Sequence, residues 1–306
     1  MIPVQDNWLH IDNNFINSCE QIANNSYSDN LTIFKQLGLF RLLLPQSLGG
    51  RNGHLQDLLE CQLAISEHCV QTANAFSKIA SAPYLIQQFG NDVLEEVFGE
   101  DNNALVLLYP GDIESALYDN IDPVYDWIVV QDNDKLCLFN VDDRNFLPEH
   151  RTITLQTLAD ANTLSWYQLY NRVLTTSAIG GLRHVINLTM KSNDTTLYAV
   201  LGHSLSEADE MSLVLHRNIN HALLHIENGE VIPMYDRVKY KVQSANVWYK
   251  CVELIKKVDL LTDNKEVSNI LIGVESMDIQ HLNDVKIDFA GYIRYLKNQE
   301  TDDLYL

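Results

Sequence analysis

Histidines on one predicted helix are the residues whose type and spacing most directly suggest chemistry. His221 and His225 are four residues apart, and His216 lies earlier on the same stretch. Imidazoles at positions i and i+4 lie on one face of a helix, where their nitrogens can bind one metal ion. The sequence shows neither an HExxH motif nor a third ligand beside them. Histidines on a surface helix are therefore the favoured interpretation, and no metal site is predicted.

A glycine-rich stretch at residues 49–53, GGRNG, is a second pattern that could carry chemistry. Backbone amides in glycine-rich loops can bind phosphate, but a phosphate-binding loop also needs a lysine and a preceding strand. The stretch contains no lysine, and the residues before it follow a helical pattern. It is therefore predicted to be a turn between two helices.

Composition and charge limit the classes of function. The formal net charge of −20 argues against a nucleic-acid partner, because a basic surface is needed to neutralise phosphates. The five cysteines are scattered and form no CxxC pair, which predicts a reduced, cytoplasmic protein. No run of 18 apolar residues occurs, so no membrane span is predicted.

Hydrophobic periodicity divides the chain into three predicted domains. Residues 1–100 have the spacing of helices, residues 101–160 contain short β-rich runs, and residues 161–306 return to helical spacing. The triplet Asp132-Asn133-Asp134 predicts a hairpin turn between two of the strands. Long amphipathic segments with short connections in the last section predict a helical bundle.

Short motifs along the chain resemble those of the acyl-CoA dehydrogenase family. Residues 38–50, GLFRLLLPQSLGG, are similar to the family's LGLFGLLVPEEYGG. Phe89-Gly90-Asn91 resembles the start of its FGSEEQK helix, and residues 179–182, IGGL, resemble the ALGGAERAL that opens its C-terminal bundle. The resemblance implies an α+β, mostly α, acyl-CoA dehydrogenase-like fold. Its parts are an N-terminal helical domain, a small antiparallel β section and a C-terminal four-helix bundle.

The resemblance also implies a chemistry, the flavin-dependent α,β-desaturation of an acyl thioester. In the family, a TEPxxGSD loop contacts the ring of the flavin. Tyr109, Pro110 and Gly111 occupy the matching place in this sequence, and the Thr-Glu pair before the proline is missing. The family's ring contact is therefore only partly present.

A second flavin motif of the family, RxQFGxxLxxxQ, brings an arginine to the diphosphate of a neighbouring subunit's FAD. Its matching positions here include Tyr198 for the arginine, Leu201 for the phenylalanine, Gly202, and Asp209 for the last glutamine. Replacing arginine by tyrosine removes a charge-assisted contact to phosphate. The isolated chain is therefore predicted to bind FAD weakly or not at all, although the same run also suits a plain connection between helices.

Candidate substrate-side residues follow from the same resemblance. Glu275 lies in a segment similar in outline to the one that carries the family's catalytic base, although an exposed loop glutamate is the simpler interpretation. Ala73, Phe76, Ala80 and Tyr84 lie where the family shapes its acyl pocket. Small side chains there leave room for a ligand, and they equally permit close helix packing.

Two functions of different classes remain open from the sequence. In the first, the chain has a degenerate flavin site and binds an acyl thioester, on CoA or a carrier protein, as a partner subunit or non-redox enzyme. In the second, it is an active FAD-dependent oxidoreductase acting on the CH–CH group of an acyl thioester. The resemblance implies a homo-oligomer or a hetero-oligomer with a related subunit.

Overall fold

The fold is described from a computed structural model. The residues that can be described are Cys19, Ile22 and the ranges 27–99, 104–109, 112–132, 135–154, 166–190, 194–228, 230 and 232–277. The helical pattern predicted near the N-terminus lies outside these residues, apart from the buried Cys19 and Ile22. The chain forms two compact units: residues 1–61 with 75–165, and residues 62–74 with 166–306. The three-domain division predicted from the sequence remains a prediction.

The N-terminal part of the described chain is helical, as the spacing of apolar residues predicts. Its helices are α1 (Tyr27–Gln36), α2 (Leu55–Ser66), α3 (Val70–Ala80), α4 (Ala82–Ile86) and α5 (Asn91–Phe98). Three fully or nearly buried aromatic rings, Phe34, Phe40 and Phe76, pack together in the first unit. The rings of Phe34 and Phe76 meet edge to face with centroids 5.2 Å apart, a favourable aromatic geometry.

The turn before α2 is fixed by its glycines. Gly38 and Gly49 have φ angles of 66° and 70°, in the left-handed region that side chains with a Cβ disfavour. A Cβ added to Gly53 would fall 2.8 Å from the carbonyl oxygen of Leu42, closer than packing allows. The Arg51 guanidinium donates to the carbonyl of Leu37, 2.5 Å away. The prediction of a turn at residues 49–53 is confirmed, and its glycines are required by the backbone conformation and close packing of the turn.

In the part of the chain that the structure describes, a small sheet of four strands follows the helices, in the order β1-β2-β3-β4. The strands are β1 (Val106–Tyr109), β2 (Trp127–Asp132), β3 (Lys135–Asn140) and β4 (Thr152–Thr154). Asp132 pairs with Lys135 in an antiparallel β2–β3 ladder, which confirms the predicted hairpin. The sequence predicts antiparallel pairing throughout, but β1 and β2 are parallel. The two strands are parallel because the connection between them, which contains helix α6 (Ile113–Tyr118), returns the chain to the end of the sheet where β1 begins.

Among the residues described after position 165, four helices form the predicted C-terminal bundle: α7 (Trp166–Thr189), α8 (Thr195–Glu227), α9 (Met234–Thr262) and α10 (Lys265–Glu275). Helix α9 packs against α7, α8 and α10. The apolar face of each helix is buried in one common core, which includes Leu182, Leu215, Leu254 and Val267. The predicted order of helices, small sheet and four-helix bundle is confirmed.

Residues 62–74 complete the bundle, although they are distant from it in sequence. Val70 is 1% exposed and belongs to the bundle core. A Cβ on Gly181 would lie 2.8 Å from Val70 and 3.0 Å from Val274. A Cβ on Gly180 would overlap the Ser66 hydroxyl and lie 2.7 Å from the Ser66 Cβ. The two glycines therefore allow α7 to approach the end of α2 and the start of α3 without a side chain between them.

Among the described residues, no helix combines the length and the hydrophobicity that crossing a membrane requires.

Candidate functional site

The end of β1 carries the first position predicted to contact a flavin. The hydroxyl of Tyr109 donates to the carboxylate of Asp119. Burial, and then this acidic neighbour, raises the pKa of Tyr109 to about 12. Tyr109 therefore stays protonated, and its only hydroxyl proton is engaged by Asp119. Pro110 and Gly111, predicted beside it, lie outside the described residues.

The second predicted flavin run lies on α8. Tyr198 is 47% exposed, and its hydroxyl is 3.5 Å from the carbonyl of Met190. Leu201 is buried in the bundle core, whereas a Cβ on Gly202 would meet no atom within 4 Å. The run thus presents an exposed tyrosine and an open glycine on the helix surface, and its own residues supply no cation for a phosphate.

A cation beside the end of this run, Arg183 on α7, is already paired with carboxylates. Asp209, which replaces the family's last glutamine, lies 3.0 Å from an Arg183 guanidinium nitrogen on α7. Another nitrogen of Arg183 is 3.0 Å from Glu67, and Ser212 accepts a longer bond of 3.4 Å. Because two carboxylates surround this guanidinium, its charge is already balanced within the second unit.

The predicted catalytic base ends α10. One carboxylate oxygen of Glu275 lies 2.6 Å from the ammonium nitrogen of Lys256, and both side chains are more than one-third exposed. Exposed pairs of this kind contribute little to stability. The position matches a surface ion pair between α9 and α10, and the catalytic role of Glu275 remains a prediction.

The predicted pocket residues are mostly buried. Ala73, Phe76 and Ala80 are each 0% exposed, and Tyr84 is half-buried. Ala73 belongs to the second unit and the other three belong to the first. Phe76 packs in the aromatic cluster, so close packing accounts for it without a ligand. The pocket remains a prediction.

A buried amide on α2 was not predicted from the sequence. Gln62 is 0% exposed, and its Nε2 donates to the carbonyl of Ala73 at 2.7 Å and to the Ser177 hydroxyl at 2.5 Å. Its Oε1 has no hydrogen-bond partner among the described residues. An unsatisfied buried acceptor costs roughly 1–3 kcal/mol, so this atom is a candidate contact for an N–H or O–H of a ligand. A glutamine between Cys61 and Leu63 gives no motif that could have revealed it.

The two histidines at i,i+4 spacing acquire a third neighbour in the structure. His221 and His225 lie near the end of α8, and Asp236 lies in the first turn of α9. One ligand atom from each of the three lies within 4.8 Å of the others. The third ligand could not be predicted, because Asp236 follows a turn whose path the sequence does not define.

One curated protein and several solved structures are similar to this chain. No family model matches the chain. A 93-residue segment, 28% of this chain and 22% of the relative, is 29% identical to the oxygenase component of p-hydroxyphenylacetate 3-hydroxylase from Acinetobacter baumannii. The similarity therefore spans well under half of that protein.

Solved structures match almost the whole chain. A 3-HSA hydroxylase from Rhodococcus sp. RHA1 matches with a TM-score of 0.80 at 13% identity, covering 94% of this chain and 96% of that one. XiaF from Streptomyces sp., in complex with FADH2 and glycerol, gives 0.74 at 13% identity, with 95% and 96% covered. TdsC from Paenibacillus sp. A11-2, in complex with FMN and indole, gives 0.64 at 12% identity, with 93% and 96% covered.

These matches show the fold and correct the family. The fold is the acyl-CoA dehydrogenase-like fold, which the 3-HSA hydroxylase shares. Assignment to the acyl-CoA dehydrogenase family is wrong, because the similar proteins are named as hydroxylases and monooxygenases. The family was misassigned because of the kind of motif on which the resemblance rested. The glycines of residues 38–53 and Gly180 are required by backbone geometry and helix approach, so they report the fold and not the reaction.

Proposed function

We propose that this chain is the oxygenase component of a flavin-dependent monooxygenase that acts on an aromatic substrate. The observation that carries the proposal is the agreement of two separate comparisons, one of sequence and one of structure. The matched segment belongs to an aromatic hydroxylase, and the structural match over 94% of the chain is to another hydroxylase. The indole in the TdsC complex supports an aromatic substrate.

A reduced flavin supplies the electrons for such a reaction. The substrate C–H, O2 and the dihydroflavin become the substrate C–OH, oxidised flavin and water, so two electrons pass from flavin to oxygen. The chain's own contribution is to bind and orient the reactants and to exclude bulk water.

At the position of the second flavin motif, the described residues offer no unpaired cation for the diphosphate of FAD. Tyr198, at the position of the family's arginine, offers an exposed phenol and no charge, and Arg183 is held by two carboxylates. FMN lacks the diphosphate that the arginine would bind. We therefore expect a site that is degenerate for FAD to accept reduced FMN.

Two partners belong to this proposal. The name of the curated relative, an oxygenase component, implies a second component, and a reductase that delivers reduced flavin is the chemistry needed. Oligomerisation is also proposed, because the motif that residues 198–209 resemble contacts the FAD of a neighbouring subunit. An acyl thioester substrate is not carried forward, since none of the similar proteins described above is named for one.

The activity test couples the purified chain to a general NADH-dependent flavin reductase with FMN and O2. Phenols, indole and an aromatic thioether are supplied in turn, and products are analysed by mass spectrometry with 18O-labelled O2. One 18O atom should enter a product for each NADH consumed beyond peroxide release. A heat-unfolded sample supplies the background. NADH consumption that yields peroxide alone with every substrate class would contradict the proposal.

Flavin preference gives a second prediction. The Tyr198→Arg variant should bind FAD about 10- to 100-fold more tightly than the native chain, because a charge-assisted hydrogen bond contributes roughly 1.5–3 kcal/mol. FMN affinity should change less. Binding of the oxidised flavins is measured by fluorescence quenching in air, and binding of the reduced flavins by anaerobic ultrafiltration.

The control variant is Leu213→Arg, which adds the same charge to α8 at a side chain that is 70% exposed. It should leave both flavin affinities within about twofold, since a remote exposed charge is screened by salt. Equal FAD affinity in the native chain and in Tyr198→Arg would show that α8 does not contact the diphosphate.

A further inference from the structure

The junction between α8 and α9 brings together three side chains that commonly bind metals. His221 and His225 are one helical turn apart on α8, and their rings meet edge to face with centroids 4.8 Å apart. Asp236 approaches from α9, and its side chain is 16% exposed, while that of His225 is 19% exposed. Each of the three offers one ligand atom within 4.8 Å of the other two. The ligands therefore come from two helices and converge at one place.

Neighbouring oxygens orient the two imidazole rings. His225 Nδ1 lies 2.9 Å from a carboxylate oxygen of Glu230. His221 Nδ1 is hydrogen-bonded to the hydroxyl of Tyr240, a side chain that is 2% exposed. An Nδ1–H that donates to such an oxygen leaves Nε2 as the unprotonated nitrogen, the form that binds a metal. A carboxylate behind a histidine in this way is the usual outer contact of a metal-binding imidazole.

We propose that His221, His225 and Asp236 bind a divalent transition-metal ion of the Zn²⁺, Co²⁺ or Ni²⁺ class. Two imidazole nitrogens and one carboxylate oxygen suit these ions, whereas Mg²⁺ and Ca²⁺ prefer oxygen ligands alone. Ligands at about 2.0–2.1 Å from a tetrahedral metal lie about 3.4 Å apart. The largest separation of 4.8 Å must therefore shorten by about 1.4 Å, a movement that the partly exposed side chains can make by rotating.

Charge around the junction favours a cation. Glu230 lies beside His225, and the whole chain carries a formal charge of −20. Among the side chains that the structure describes, Lys239 is a competing cation, because its ammonium lies 4.0 Å from Asp236. This distance is at the limit of an ion pair, and Lys239 is 36% exposed, so it can move into solvent when a metal binds. The site does not depend on the proposed flavin function.

The test uses the full chain purified without a histidine tag and treated with a chelator. Titration calorimetry with ZnCl2 should give one site per chain with a micromolar or tighter Kd. CoCl2 should produce visible d–d absorption bands of a site with nitrogen ligands. His225→Ala and Asp236→Ala should each weaken Zn²⁺ binding about 100-fold, and Glu230→Gln about tenfold.

The matched control is His203→Ala, on the same helix, whose ring pairs with Glu207 at 3.6 Å and lies outside the cluster. It should leave Zn²⁺ affinity unchanged. Circular dichroism of each variant without metal establishes that it is folded, and the Co²⁺ spectrum of the native chain tests the ligand set without any substitution. Absence of micromolar binding, or binding that His225→Ala and Asp236→Ala leave intact, would overturn the proposal.

Discussion

The Gly180→Ala variant should unfold at a temperature roughly 10 °C below that of the native protein. The added methyl would overlap the Ser66 hydroxyl, and it would lie 2.7 Å from the Ser66 Cβ and 3.0 Å from the carbonyl of Leu63. The last of these is backbone and cannot rotate away. Overpacking of this kind costs about 3 kcal/mol, which corresponds to roughly 10 °C for a unit of this size. Thermal and urea unfolding followed by circular dichroism measure it.

Gly202→Ala is the matched control for this prediction. Gly202 is also within a bundle helix, but a Cβ there would meet no atom within 4 Å. The same substitution should therefore stabilise the protein by about 0.5–1 kcal/mol, through helix propensity alone. Ser66→Gly should recover much of the loss in Gly180→Ala, because it removes the two closest atoms. Equal effects of the two alanines would show that α2 and α7 do not approach at Gly180.

The Phe76→Ala variant should lose about 3–5 kcal/mol of unfolding free energy. The ring is 0% exposed and contacts two other rings, with centroids 5.2 Å from Phe34 and 6.1 Å from Phe40. Removing it leaves a cavity and also ends two aromatic contacts. The loss is measured by urea unfolding, where the midpoint should fall while the slope stays constant.

This variant also separates the two interpretations of the predicted pocket. A phenylalanine that lines an open pocket has fewer packed atoms to lose, so its truncation would cost under about 1.5 kcal/mol. Phe146→Ala is the control, because that ring is 57% exposed and its removal should stay within about 0.5 kcal/mol. A small loss at Phe76 combined with altered substrate binding would favour the pocket.

Much of the fold could be predicted from local patterns. The periodicity of apolar residues gives the bundle helices, and Asp132 to Lys135 closes the hairpin where turn residues indicate it. The parallel pairing of β1 with β2 could not be predicted, because it depends on how α6 returns the chain. Local propensity contains no information about which strands pair or in which direction they run.

The candidate site was harder to predict than the fold. Asp236 joins His221 and His225 only through the packing of two helices, and Gln62 is distinguished only by its buried, unsatisfied oxygen. The family was misassigned for a related reason. Glycines such as Gly49 are set by backbone conformation, which proteins of different chemistry share.

Residues 62–74 have a consequence for how the protein is made. They belong to the same compact unit as residues 166–306, so this unit is discontinuous along the chain. The N-terminal residues leave the ribosome first, and domains generally fold as they emerge. Val70 therefore cannot be buried in its core until residues such as Leu182 and Val267, which are synthesised much later, are present. Folding of the second unit is thus a late event coupled to completion of the chain. A fragment that begins at α7 would expose the apolar surface that Val70 covers.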